Sequence, residues 1–248
     1  QVVEGLTTGL QRLADEKSVQ VIQGRARFAG PTGLHVHGEQ ETEVSFEHAI
    51  LATGSSPMAL PDTKFGKRIW SSREALDLKE IPDSLLVVGG GYVGLELGSV
   101  YASFGSAVTL VEMEDRLLPL ADPDLVRPVA NRMEELLDSV HLEVRVQEVK
   151  ESDDGIEVSF HGEADPPSSQ EFQRVLVAVG RRPNSADLGL EDAGVEVDED
   201  SFVSVDEECR TSAETVFAVG DVAGGRMLAH EAIREGRVAA EVIAGGPA

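Results

Sequence analysis

Apolar and polar positions recur along this chain with two periods, and the switches between them lay out its elements. Val3, Leu6, Leu10 and Leu13 fall at helical spacing and predict an amphipathic helix over residues 2–16, with Asp15, Glu16 and Lys17 at its exit. Short alternating stretches follow at 19–22, 25–28, 34–36 and 43–46, broken at Gly30-Pro31 and Gly38, as in a small antiparallel meander. His48-Ala49-Ile50-Leu51-Ala52 reads as a buried strand running into Thr53-Gly54-Ser55-Ser56-Pro57, whose small side chains let backbone approach a ligand. Residues 58–72 contain proline and carry no period, and Ser72 with residues 74–78 begins a short helix. The second half repeats the theme. A helix is predicted over 122–137, alternating strands over 142–146 and 156–160, and a buried strand over 174–179 that ends in Gly180. A further apolar strand, 215–219, leads into Gly220-Asp221, and a last helix runs from about 229 to 244. The order of strands and helices predicts an α/β chain.

The sharpest local pattern lies between Leu85 and Glu112. Leu85-Leu86-Val87-Val88 is followed by Gly89-Gly90-Gly91-Tyr92-Val93-Gly94-Leu95-Glu96, then by a second strand, Ala107-Val108-Thr109-Leu110-Val111, that ends in an acid. Gly89 turns the chain off the strand, Gly91 lets backbone approach a pyrophosphate, and Gly94 packs helix on sheet. The helix that begins near Tyr92 aims its amides and positive dipole end at phosphate. Glu112, 18 positions after Gly94, falls where a carboxylate can accept the ribose hydroxyls. The ligand read from this pattern is NAD. A 2′-phosphate calls for Arg at or just after the acid, whereas Met113, Glu114 and Asp115 follow and Arg116 comes too late.

Composition bounds the rest. The chain of 248 residues is long enough for one large or two modest domains. No run approaches the ~20 apolar residues of a membrane span, and residues 1–18 lack the basic start and apolar stretch of a signal peptide, so the expected address is cytoplasmic. A net charge of −24 repels nucleic acid and anionic membrane. Its acids are dispersed, Glu39, Glu41, Glu43, Asp153, Asp154, Glu196, Asp198, Glu199 and Asp200 among them, as on a solvated surface. Sixteen Arg against five Lys suits either concentrated salt or a merely acidic protein. The lone Cys209 rules out an internal disulfide, and its acidic neighbours disfavour a thiolate. His35 and His37 alternate on one strand without a cluster of metal ligands around them and read as solvent-facing, and His230 has no adjacent nucleophile for a hydrolase triad. No metal is expected.

Taken in order, ATGSSP from Ala52, GGGYVGLE from Gly89, VAVGRRPN from Val177, AVGDV from Ala218 and MLAHEA from Met227 resemble the flavin-dependent pyridine-nucleotide disulfide oxidoreductases. Within that family they look most like the dihydrolipoyl dehydrogenase branch. The resemblance implies two Rossmann-like domains, one for FAD (residues 1–73 and 183–248, incomplete here) and an inserted one for NAD (74–182). It implies that Gly89, Gly91, Gly94 and Glu112 cradle NAD and that Val146 and Gly180 line its cleft. Glu96 matches a glutamate that faces the flavin and pairs with a lysine on a redox-cysteine helix this sequence does not contain. On the flavin side, Thr53, Gly54 and Ser55 correspond to a turn against the cofactor, and the backbone of Ala26 to an adenine contact. Asp221 corresponds to an acceptor for a ribityl hydroxyl. Met227, Leu228, Ala229 and His230 open the last helix, whose amino end would stabilise charge on the reduced flavin.

The resemblance further implies hydride passing between NAD and dihydrolipoamide through FAD and a disulfide, a homodimer, and a lipoamide-bearing acyltransferase component of a 2-oxoacid dehydrogenase complex as partner. The redox disulfide, the glycine turn for the FAD pyrophosphate and the His-Glu acid–base pair are all absent from these 248 residues. The expectation is therefore a central piece of a longer polypeptide, with no catalytic residue of its own and with residues 43–52 and 215–219 left partly uncovered. A mercuric reductase-like or transhydrogenase enzyme of the same family, or a non-catalytic NAD-binding module, are the alternative readings.

Overall fold

Five parallel strands, in the spatial order Ile69–Trp70, Arg174–Val177, Ser84–Val88, Ala107–Val111 and Ser139–His141, form the largest sheet in the computed structural model. The structure describes residues 2–152, 155–162 and 168–246, so the surface acids Asp153 and Asp154 lie outside the described residues. Side chains alternate across this sheet. Leu85, Val87, Val108, Leu110 and Leu176 face one way and pack on Leu95, Leu97, Tyr101, Val126 and Met133 of the helices Tyr92–Ser103 and Pro123–Leu136. Leu86, Val88, Val111, Val175 and Val177 face the other way, against Val144, Ile156, Val158, Phe160 and Phe172. That second cover is a three-stranded antiparallel sheet, Val144–Glu151, Ile156–Gly162 and Ser169–Phe172, rather than a helix. Burial on both faces is why Leu85-Leu86-Val87-Val88 reads as a continuous apolar run.

The chain divides into two units, residues 56–182, which hold this sheet, and residues 1–55 with 183–248. The first crossing falls at 55/56 instead of near 73. Ile69 and Trp70 pair with Val175 and Leu176, and both are buried, so the segment before the short helix already belongs to the parallel sheet. That helix, Ser72–Leu76, starts on a complete capping box: Ser71 Oγ accepts from Arg73 N at 3.1 Å and Glu74 Oε2 accepts from Ser71 N at 2.8 Å. Burial raises the Glu74 pKa, but the hydrogen bonds from Ser71 outweigh it and the carboxyl is held below its ordinary value. A depressed folded-state pKa contributes stability above the unfolded pKa and loses it as pH falls through the folded one. Ser71→Ala is expected to cost about 1 kcal/mol near neutral pH. The difference in urea midpoint between S71A and wild type should shrink as pH drops below the ordinary carboxylate range.

The strand expected over 142–146 begins at Val144 and runs to Glu151, and a separate short strand, Ser139–His141, precedes it. Glu143 adopts φ 55°, and this single left-handed residue lets the chain leave Ser139–His141 and enter Val144–Glu151. A short-period pattern does not reveal such a switch, because both strands present the same alternation.

In the other unit, Arg25–Phe28, Gly33–His37 and Thr42–Ser45 form the antiparallel meander, while residues 19–22 join no strand and Val19 stays 57% exposed. Ala49–Leu51 and Val216–Ala218 pair in parallel, and Phe28, Leu51, Leu190, Val203, Val216, Ala218 and Val222 form the core around them. Residues 216–219 are buried, so the expected bare surface at 215–219 is corrected. Phe217 and Val219 are covered by Cys209, Ala239 and Val242, the last two from the helix Ala229–Ile243. Ile50, by contrast, is 41% exposed. The helix Val2–Glu16 forms where periodicity predicts it but buries none of its residues, with Leu6 and Leu10 more than two-thirds exposed.

Candidate functional site

The glycine turn sits where the parallel sheet changes direction. From Ser84–Val88 the chain continues to Ala107–Val111 on one side, whereas Arg174–Val177 occupies the other, and ligand crevices of open α/β sheets form at this kind of switch. Gly89 has φ +110°, and a Cβ built on it would lie 2.4 Å from Ala178 O. Its N–H donates to Val111 O at 2.9 Å. Gly94 is tighter still, since its Cβ would fall 2.0 Å from Gly89 O and 3.2 Å from Val87 Cγ1. Gly89 therefore lets two neighbouring strand ends touch through bare backbone, and Gly94 lets the helix touch its strand. Gly91 differs: it is the N-cap of Tyr92–Ser103, at φ −75° and ψ 177°, and a Cβ there would meet no protein atom within 4 Å. The room beside it suits a ligand's phosphates. The helix's own ladder begins with Leu95 N–H on Gly91 O at 3.0 Å, so the first-turn amides face that room.

Glu112 ends the second strand as expected and is buried at 7% exposure. Its Oε2 accepts from Gly90 N at 2.6 Å and its Oε1 from Glu114 N at 2.9 Å. Carboxylate oxygens accept more than one hydrogen bond each, which leaves capacity for ribose hydroxyls. Glu112 thereby joins the acid and the glycine turn into one construction, a link that sequence spacing did not reveal. Arg116 turns back on its own loop, donating to Pro119 O at 2.7 Å, rather than reaching toward the acid.

The remaining residues of the first unit fall into two groups. Leu95 is buried and Val93 packs against the same cluster, so both side chains belong to the core and contribute backbone only. Tyr92 and Glu96 are exposed on the helix. Val146 packs against the second apolar cluster, beside a register shift between Val146 and Glu148. Gly180, at φ +138°, accepts from Met58 N at 3.0 Å and leaves Val179 43% exposed.

In the other unit, the carboxyl ends of two parallel strands bring Thr53, Gly54 and Ser55 to Asp221. Ser55 Oγ donates to Asp221 Oδ2. Asn184 reinforces the turn: Thr53 Oγ1 donates to Asn184 O at 2.8 Å, Asn184 Nδ2 donates to Thr53 O at 2.9 Å, and Asn184 N donates to Gly54 O at 2.9 Å. Gly220 takes φ +71°, and its N–H is held by Glu235 Oε2 at 2.6 Å. Neither Asn184 nor Glu235 was legible beforehand, because each reaches the turn from a distant stretch of chain. Ala26 lies mid-strand opposite Val36. Met227 adopts φ 53°, Leu228 caps the last helix, and Ala229 and His230 are its first, exposed residues.

Cys209 is buried, its thiol lies 3.7 Å from Glu235 O, and burial, then the charges of Glu235 and Asp206, push its pKa up. His37 Nδ1 lies 2.8 Å from Glu41 and His35 Nδ1 3.7 Å from Glu43, all at the surface. Among the described residues no group of three His, Cys, Asp or Glu could hold a metal ion.

The pyridine nucleotide-disulphide oxidoreductase family model matches residues 1–236. Curated relatives include the dihydrolipoyl dehydrogenase of Vibrio parahaemolyticus, 45% identical over 247 residues, and that of Halobacterium salinarum, 45% identical over 252. These alignments take in 99% and 100% of this chain but 52% and 53% of the relatives, so the chain spans about half their length. The HOCl-induced flavoprotein disulfide reductase of Escherichia coli superposes with a TM-score of 0.85 at 30% identity, over 97% of this chain and 54% of that one. With residues 1–236 matched by its family model, the chain belongs to the pyridine nucleotide-disulphide oxidoreductases.

Proposed function

We propose that the chain contributes the NAD-binding unit and part of the FAD-binding unit of a dihydrolipoyl dehydrogenase. The observation that carries this reading is the Gly90–Glu112 bond, which sets a carboxylate beside a glycine turn whose Gly91 leaves room for phosphate. In this reading residues 56–182 bind NAD. The amides that open Tyr92–Ser103 meet the pyrophosphate, Glu112 accepts the adenosine ribose hydroxyls, and Val146 and Gly180 line the cleft.

The Thr53-Gly54-Ser55 turn, Asp221, the Ala26 backbone and residues 227–230 serve the flavin side. Asp221, already holding the Ser55 hydroxyl, keeps acceptor capacity for a ribityl hydroxyl. When bound, NAD and FAD supply hydride transfer, and the chain's own residues bind and orient. Lipoamide as the substrate, a homodimer and a lipoamide-bearing acyltransferase partner belong to the intact polypeptide. Lipoamide is favoured over other disulfide or metal substrates because the 45%-identical relatives carry the dihydrolipoyl dehydrogenase name. Among the described residues no helix is long and apolar enough to cross a membrane.

Calorimetric titration of the chain tests the reading. NADH should bind at least about tenfold more tightly than NADPH, a difference of about 1.4 kcal/mol. Tighter binding of NADPH would overturn it. So would lipoamide turnover by these residues alone, since one cysteine cannot form the required internal disulfide.

A further inference from the structure

Gly90 is gripped from three sides by one short segment. Its N–H donates to Glu112 Oε2 at 2.6 Å, and its carbonyl accepts from Leu118 N at 3.0 Å. A Cβ built on it would meet Leu117 Cδ2 at 2.7 Å and Glu112 Oε2 at 3.1 Å. Leu117 is 3% exposed and anchored in the apolar cluster with Leu95 and Val126. Leu118 reaches the Gly90 carbonyl through a left-handed backbone, φ 47°, a conformation unfavourable for leucine and retained here beside a candidate ligand site. Neither leucine comes within 4 Å of a Cβ built on Gly91, and the glycine pattern does not point to either.

We infer that Leu117 and Leu118 are positioning residues for the dinucleotide. Together with Glu112 they clamp the Gly90 peptide and so fix the direction of the Gly91 turn and the first helical amides. The inference rests on the NAD reading above. It adds that the segment after the acid couples the ribose end of the site to its phosphate end, because the carboxylate that takes the ribose and the side chain that presses on the turn sit on one loop. A support of this kind acts on affinity through geometry, without touching the ligand.

The test is NADH titration and thermal unfolding of the full chain with Leu117→Ala, Val126→Ala, Gly90→Ala and the Gly90→Ala/Leu117→Ala pair. Val126 lies in the same cluster and is not among the nearest neighbours of a Cβ at Gly90, so it controls for lost packing. Leu117→Ala should weaken NADH binding about tenfold, while Val126→Ala lowers the unfolding temperature comparably and leaves affinity within about twofold. Gly90→Ala should weaken binding by pushing on Leu117, and removing the Leu117 side chain should restore part of that loss, because the clash lies at the far end of a flexible side chain.

Equal affinity changes in Leu117→Ala and Val126→Ala would overturn the inference, as would a double variant that binds no better than Gly90→Ala. If the alanine at Gly90 prevents folding, the two single truncations decide alone. Failure of the wild-type chain to bind NADH would instead overturn the NAD reading, and is distinguishable for that reason.

Discussion

Alanine at Gly94 is expected to abolish measurable NADH binding and to destabilise the chain by about 3 kcal/mol, the upper range for an overpacked site. The added carbon would fall 2.0 Å from the Gly89 carbonyl oxygen, and the obstacle is backbone rather than a side chain that can turn away. Relief requires the helix Tyr92–Ser103 to lift from the strand Ser84–Val88, which loosens the packing of Leu95, Leu97 and Tyr101 on Val87 and Val108 as well. Gly91→Ala supplies the contrast. Its Cβ meets no protein atom within 4 Å and its φ of −75° suits alanine, so the urea midpoint should stay near wild type while NADH affinity falls. Equal loss of stability in both variants, in parallel denaturation and titration series, would contradict the division between a packing glycine and a ligand-approach glycine.

Removing the acid at the end of the second strand should be nearly as severe. Glu112→Ala leaves the buried Gly90 N–H and the half-covered Glu114 N–H without their acceptor, at about 1–3 kcal/mol for a buried unsatisfied group. The same change removes the carboxylate proposed for the ribose, and NADH affinity should fall about 100-fold, or about 2.7 kcal/mol. Glu112→Gln should recover part of the stability through its one carbonyl oxygen. It recovers little affinity, because its amide group presents donors where acceptors are needed. Full NADH affinity in either variant would remove Glu112 from the site.

These two residues also mark how far the sequence could be read. The roles of Gly89, Gly91 and Gly94 follow from local rules: a glycine after a buried strand, at a fixed distance from a helix start, has few functions to choose from. Glu112 could be located because the βαβ unit has a nearly constant length. Its bond to Gly90 could not, since a 22-residue separation in sequence says nothing about which backbone amide the carboxylate meets. Ser55 and Asp221, 166 residues apart, meet only because Ala49–Leu51 and Val216–Ala218 pair in parallel and end together.

The contact division at 55/56 departs from the boundary expected near 73 for a related reason. Ile69–Trp70 is too short for any period, and its place in the sheet is decided by its partner at Val175 and Leu176. The run at 19–22 shows the converse, an alternating pattern with no neighbouring strand to accept its hydrogen bonds.

Element type, the α/β class, the glycine turn and the acid were set by short-range chemistry: apolar period, backbone freedom at glycine, and the charge a helix terminus favours. The clamp on Gly90, the Asn184 and Glu235 supports, the cover on residues 216–219 and the division at 55/56 were decided by which distant segments pack together. Hydrogen bonds and van der Waals contacts act over a few ångströms, so a one-dimensional pattern can specify the groups that need partners but only the folded chain selects which partners they find.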